Sequence, residues 1–174
     1  MRYIDSPEFK FFQAIKRGQL ESAENLLNQG VNVHHVTEND RWTYLHKVLT
    51  STSVDRLSPS ESIQFLIDQG LDVNAIDSYG YTPLIYAVRQ RNVPAMRLLL
   101  DNGAKETLEH RGIDSQNALD MAFDSHPFEF NVVKVLLEYG SDPDAAAPGG
   151  KSVREAMDII AGIDPAIKAL MDQY

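Results

Sequence analysis

Thr82-Pro83-Leu84-Ile85-Tyr86-Ala87, and after it Leu99-Leu100-Asp101-Asn102-Gly103, is the stretch that decides the fold. Proline suits the first position of a helix, where its missing N–H would have had no partner. The second segment reads as the last turn of an amphipathic helix: two leucines face a core, and glycine takes the left-handed conformation that ends it. The same ending recurs as Leu26-Leu27-Asn28-Gln29-Gly30, Leu66-Ile67-Asp68-Gln69-Gly70 and Leu136-Leu137-Glu138-Tyr139-Gly140, its glycines 40, 33 and 37 residues apart. The opening recurs as Thr43-Tyr44-Leu45-His46-Lys47-Val48 and Asn117-Ala118-Leu119-Asp120-Met121-Ala122. Each unit therefore reads as a short helix, a tight turn, a longer helix and a protruding connection.

Proline placement sets the boundaries. Pro7, Pro59, Pro83, Pro94, Pro127 and Pro165 fall at expected helix starts, several behind a capping residue. Ser58-Pro59-Ser60-Glu61 also has capping-box spacing. Pro143 and Pro148 fall in a connection. The pattern predicts helices over 7–17, 21–28, 43–50, 59–69, 83–90, 93–101, 117–124, 128–139, 152–160 and 165–172.

The chain has 174 residues, 43% apolar and 24% charged, with net charge −9 and no cysteine. That length and apolar share suit one folded domain or a short repeat array. Without cysteine there is no disulfide framework, thiol nucleophile or thiolate metal site. A negative surface argues against nucleic acid, whose affinity rests on Lys and Arg contacts. No apolar run approaches the roughly 20 residues that span a bilayer, which argues against a membrane partner. Asp5 and Glu8 stand where a signal peptide would be apolar, so a cytoplasmic location is expected.

The quoted segments resemble the ankyrin repeat, whose unit of about 33 residues carries Thr-Pro-Leu-His-x-Ala and Leu-Leu before Gly. Asp72-Val73-Asn74-Ala75 resembles its closing segment. The resemblance implies an all-α solenoid of stacked helix-turn-helix units with protruding hairpin-like loops. One such domain fills residues 1–174, in units near 1–36, 37–75, 76–109, 110–145 and 146–174 with divergent caps at both ends. Neighbours must stack to bury their apolar stripes. Leu45, Val48, Leu66, Leu84, Ala87, Leu99, Leu100, Leu119, Ala122 and Leu136 are the expected core. By the same resemblance, His46 is expected to hydrogen-bond backbone between units.

The resemblance further implies that partners bind the concave side, formed by the hairpin tips and the exposed face of each first helix. The residues expected to touch a partner are Asn39, Asp40, Trp42, Ser78, Tyr79, Tyr81, Arg89, Gln90, Asp114, Gln116, Asp124 and Tyr139. Trp42, Tyr79 and Tyr81 carry most weight, since large aromatic side chains dominate interface energetics. Two units are longer than 33 residues. The surplus in the second is expected within 50–57; that in the fourth lies near 110–112 or 126–128. Residues 101–174 carry net −8 and residues 1–100 net −1, so the second half would attract a basic partner.

Catalytic readings fare poorly. Asp120 and Asp124 share a helix face, yet nothing near them marks a nucleophile. His34, His35 and His46 lack a completing carboxylate cluster for a metal. Phosphate-binding and hydrolase motifs are missing. The expectation is a non-enzymatic binding protein without cofactor or metal, monomeric when unbound. It would act as an inhibitor or immunity protein neutralising a basic toxin or effector, or as an adaptor or regulator of signalling or transcription proteins.

Overall fold

A computed structural model describes residues 3–50 and 57–174. Its helices come in pairs: α1 (Pro7–Lys16) with α2 (Leu20–Asn28), α3 (Tyr44–Leu49) with α4 (Ser60–Asp68), and α5 (Pro83–Arg89) with α6 (Val93–Asp101). Then follow α7 (Ala118–Ala122) with α8 (Phe130–Glu138), and α9 (Val153–Ala156) with α10 (Pro165–Met171). Among the described residues there is no strand. Helices α1, α3, α5 and α7 pack each against the next as one layer, and α4, α6, α8 and α10 form a second. This is the all-α solenoid of stacked helix pairs that the resemblance implied, and its core runs the length of the stack.

Caps explain the helix starts. Ser6, Asn92 and Asp164 accept backbone N–H bonds from Phe9, Ala95 and Ala166. Thr43, Asn117 and Ser152 form full capping boxes with His46, Asp120 and Glu155. Gly103 ends the α6 turn at φ +107, a conformation that a Cβ would strain. The expected core is buried throughout, except that Ala122 is only half-buried. Val48 fits fully buried where later units carry alanine.

Four sequence expectations need correction. The capping box at Ser58 does not form: Ser58 Oγ donates 2.9 Å to Val48 O, satisfying a carbonyl at the end of α3, and Pro59 becomes the cap. Thr82 caps α5 by position only, its buried hydroxyl unbonded among the described residues. Pro127 does not start α8, which begins at Phe130; Phe128 instead packs beside Phe123 and His126, at 5.5 and 4.1 Å between rings. Helix α9 stops at Ala156 rather than 160, because the amides of Ile159 and Ile160 share the Ala156 carbonyl and end the ladder.

The fourth unit's surplus is divided. Asn117 lies 14 residues past Gly103, against 12 from Gly70 to Thr82, so two extra residues fall before α7 and two after it. The second unit's surplus lies chiefly between α3 and α4, and residues 51–56 there lie outside those described.

Adjacent hairpins are stitched together. Ser78 N donates to Asp40 O (2.9 Å) and Ile113 N to Tyr79 O (3.0 Å). Asn74 bridges further, its amide donating to Gly103 O (3.3 Å) and accepting from Thr107 Oγ1 (2.8 Å). As expected, His46 links units: Nδ1 accepts the Thr43 amide (3.2 Å), so Nε2 carries the proton donated to Tyr81 O (3.1 Å).

Burial pushes the His46 pKa below 6.5, outweighing its hydrogen bond to Tyr81 and the nearby Asp77 and Asp72 charges. The unfolded chain therefore takes up this proton first, so His46 is expected to leave stability intact above pH 6.5 and erode it below. Urea unfolding across that range should show the loss, and His46→Gln should flatten the His46 contribution; a slope unchanged by the substitution would contradict it.

Candidate functional site

The α3–α5 groove and the hairpins above it converge on Asp77, which is 3% exposed and accepts four hydrogen bonds. Its Oδ1 takes the backbone amides of Tyr79 and Tyr81, both at 2.9 Å, in the turn Asp77-Ser78-Tyr79-Gly80. Its Oδ2 takes Trp42 Nε1 at 3.0 Å and Tyr86 OH at 2.6 Å. One carboxylate thus fixes the hairpin backbone and two aromatic side chains. Tyr86 lies beneath them, with Trp42 and Tyr81 meeting it edge-on at 6.1 and 5.9 Å. Tyr79 stacks on Tyr81 at 6.5 Å.

These contacts give the aromatic residues a use within the fold besides the partner contact expected of them. Trp42 and Tyr81 are half-buried and join hairpin to hairpin; Tyr81 OH donates to the Asp114 carboxylate. Burial and that carboxylate together push the Tyr81 hydroxyl pKa up to about 12. Burial raises Tyr86 further still, aided by Asp77. Both therefore remain neutral donors at physiological pH. The Tyr81 ring lies against Gly112, where a Cβ would overlap it, so only glycine suits that position. Tyr79 stays 42% exposed, its OH within 3.4 Å of Asp40.

Below the rings is a cleft of about 290 Å³ lined by Trp42, Leu49, Thr50, Tyr79, Tyr81, Tyr86, Arg89 and Gln90. Five of the twelve expected partner-binding residues line this one cleft: Trp42, Tyr79, Tyr81, Arg89 and Gln90. Gln90 was expected on the exposed face of its helix but is only 5% exposed, because α5 packs between α3 and α7. Gln116 and Asp124 line a second cleft, between α7 and α9, and bond each other at 3.3 Å. Asn39 and Ser78 are exposed at the tips. Tyr139 lies elsewhere, at the end of α8, donating to Asp101 Oδ1 at 2.5 Å. Sequence reasoning missed Asp77, Tyr86 and Leu49. The Asx-turn pattern would have flagged Asp77, and the i, i+4 spacing of Tyr86 with Gln90, the residue that caps α5, would have flagged Tyr86.

Several acids are already engaged. Asp120 pairs with Arg111, and Asp144 with Arg154 at 2.8 Å. Among the described residues no group of three or more histidines and carboxylates could hold a metal. No described helix is long and apolar enough to cross a membrane.

Stacked helix pairs joined by stitched hairpins, with a groove along one layer, define a repeat protein of the solenoid type. Ankyrin repeats, in three copies, match residues 11–110 and 59–147, and the chain belongs to the ankyrin-repeat family. Such repeats are protein–protein interaction modules, in general non-enzymatic. The chain is 32% identical over 129 residues to human "Ankyrin repeat, SAM and basic leucine zipper domain-containing protein 1", covering 63% of this chain and 26% of that one. The protein of that name from Colobus guereza is 37% identical over 87 residues, 48% of this chain and 18% of its own. The chain thus spans about a quarter of the length of the curated relatives it matches.

Proposed function

We propose that this chain binds a partner protein through the groove between its hairpin tips and inner helices, and inhibits that partner by covering its active surface. The observation that carries the reading is the aromatic cleft fixed by Asp77, which leaves rigid, half-buried rings facing a groove. Rigid aromatics bury area at small entropic cost, which is how interface anchors work. The partner presents a basic surface to the second half of the chain. Supporting this, residues 101–174 carry net −8, and Asp114 and Asp124 are exposed beside the groove. The unbound chain is a cytoplasmic monomer in this reading.

Tyr79→Ala should change folding stability by no more than about 1 kcal/mol, because the ring is largely on the surface. It should weaken affinity for a partner copurified from the native host about tenfold, or about 1.4 kcal/mol, by calorimetry. Unaltered affinity in the folded variant would move the binding face elsewhere. Exchanging Asp114 and Asp124 for lysine should slow association several-fold at low salt and much less at high salt. Equal rates at both would remove the basic partner. An inhibitor abolishes its partner's activity at equimolar amounts, whereas an adaptor would hold two proteins at once on separable faces.

A further inference from the structure

Gln90 lines the cleft beneath Tyr79 and Tyr81, and its side chain is nearly fully buried there. The Gln90 side chain has both its Nε2 and its Oε1 buried and unbonded among the described residues. A buried amide without partners costs on the order of 1–3 kcal/mol, so an incoming group that pairs with it recovers that cost. A donor and an acceptor side by side match one chemical group in particular, the peptide unit, which offers an acceptor and a donor in the same spacing. Next to it, Arg89 is exposed and has no carboxylate partner among the described residues.

The rings could in principle hold a cation, since aromatic faces attract ammonium and guanidinium groups. Arg89 argues against that. Its guanidinium already lies over the Tyr86 ring, 5.9 Å from the centroid, so an incoming cation would meet a like charge in the same cleft. The volume of about 290 Å³ is at the lower edge of small-ligand sites and suits a single inserted side chain.

We propose that this cleft receives one short extended segment of the partner protein, which inserts an apolar or aromatic side chain among Trp42, Tyr81 and Tyr86. The segment pairs a backbone amide with Gln90 and sets a neighbouring carboxylate on Arg89. This deepens the groove-binding reading above and rests on it. Electrostatic attraction to the acidic second half brings the partner in, and the cleft in the nearly neutral first half selects an apolar–acidic anchor.

The chain's single tryptophan lines the cleft, so its indole resonance and fluorescence report occupancy directly. The probes are blocked hexapeptides, acetyl-Gly-Ser-Phe-Asp-Gly-Ser-amide and its Asp-Phe order, titrated into the whole chain to about 5 mM, enough to saturate a millimolar site. Companion peptides carry Asn, Lys or trimethyllysine for Asp, or Ala for Phe. At least one order of the Phe/Asp pair should shift the Trp42 indole signal saturably, with the Lys and Ala versions about tenfold weaker or worse. Arg89→Glu should reverse the Asp-over-Lys preference. Gln90→Leu, which keeps the buried volume apolar, should retain or raise the melting temperature while weakening the Phe/Asp peptide about fivefold.

The proposal is overturned if neither order shifts Trp42, or if the Lys or trimethyllysine peptide binds the native chain as well as the Asp peptide. An Arg89→Glu chain with unchanged preference overturns it equally. If the peptides fail while Tyr79→Ala still weakens the copurified partner, the groove reading stands and only this anchor falls. If both fail, the groove is not the binding face.

Discussion

Asp77→Ala is expected to destabilise the fold by at least about 3 kcal/mol. The carboxylate is buried and takes four donors, and bonds to a charged acceptor contribute roughly 1.5–3 kcal/mol apiece before context reduces their sum. Its loss leaves Trp42 Nε1–H, Tyr86 OH and the amides of Tyr79 and Tyr81 without the acceptor they share, at a position only 3% exposed. Urea denaturation followed through Trp42 fluorescence measures both consequences, since the indole loses its hydrogen bond even in the folded variant. Asp77→Asn keeps the shape and one carbonyl oxygen, and should fall between alanine and the native chain. A stability loss under about 1 kcal/mol for alanine would mean that the hairpins are held by their backbone bonds alone.

Leu99→Ala is the second large effect, at about 2–5 kcal/mol, from lost transfer energy and the cavity left behind. Leu99 is 0% exposed on α6, which packs against α4, α5 and α8, so no single neighbour can move in to fill the gap. Because stability in a stack is a sum of units and nearest-neighbour contacts, damage in this central unit should loosen both sides. Hydrogen exchange should therefore rise in α4 and α8 as well as α6. An unmoved denaturation midpoint would contradict the packing.

Helix ends were legible in the sequence because their signals are local. A glycine after two leucines, or proline behind Ser, Asn or Asp, needs only its neighbours to act, and α1, α6 and α10 begin where those pairs stand. Pro59 and Pro127 misled for the opposite reason. Each adjoins a stretch longer than the repeat needs, and there the nearest buried carbonyl or ring, Val48 O or Phe123, decides the path. The candidate site was half legible. The aromatic residues could be named, but not their burial, which depends on Asp77 reaching Trp42 across 35 residues. Likewise nothing local separates Arg89 from Gln90; only stacking on both sides of α5 exposes one and buries the other.

The most direct test of the binding face is deuterium exchange on the chain alone and in complex with the partner copurified from its host. The groove account predicts slowed exchange in the hairpins around 77–81 and 112–117 and at Leu49 and Thr50, with α4, α6 and α8 unchanged. Protection confined to those outer helices, with the hairpins exchanging as before, would contradict it.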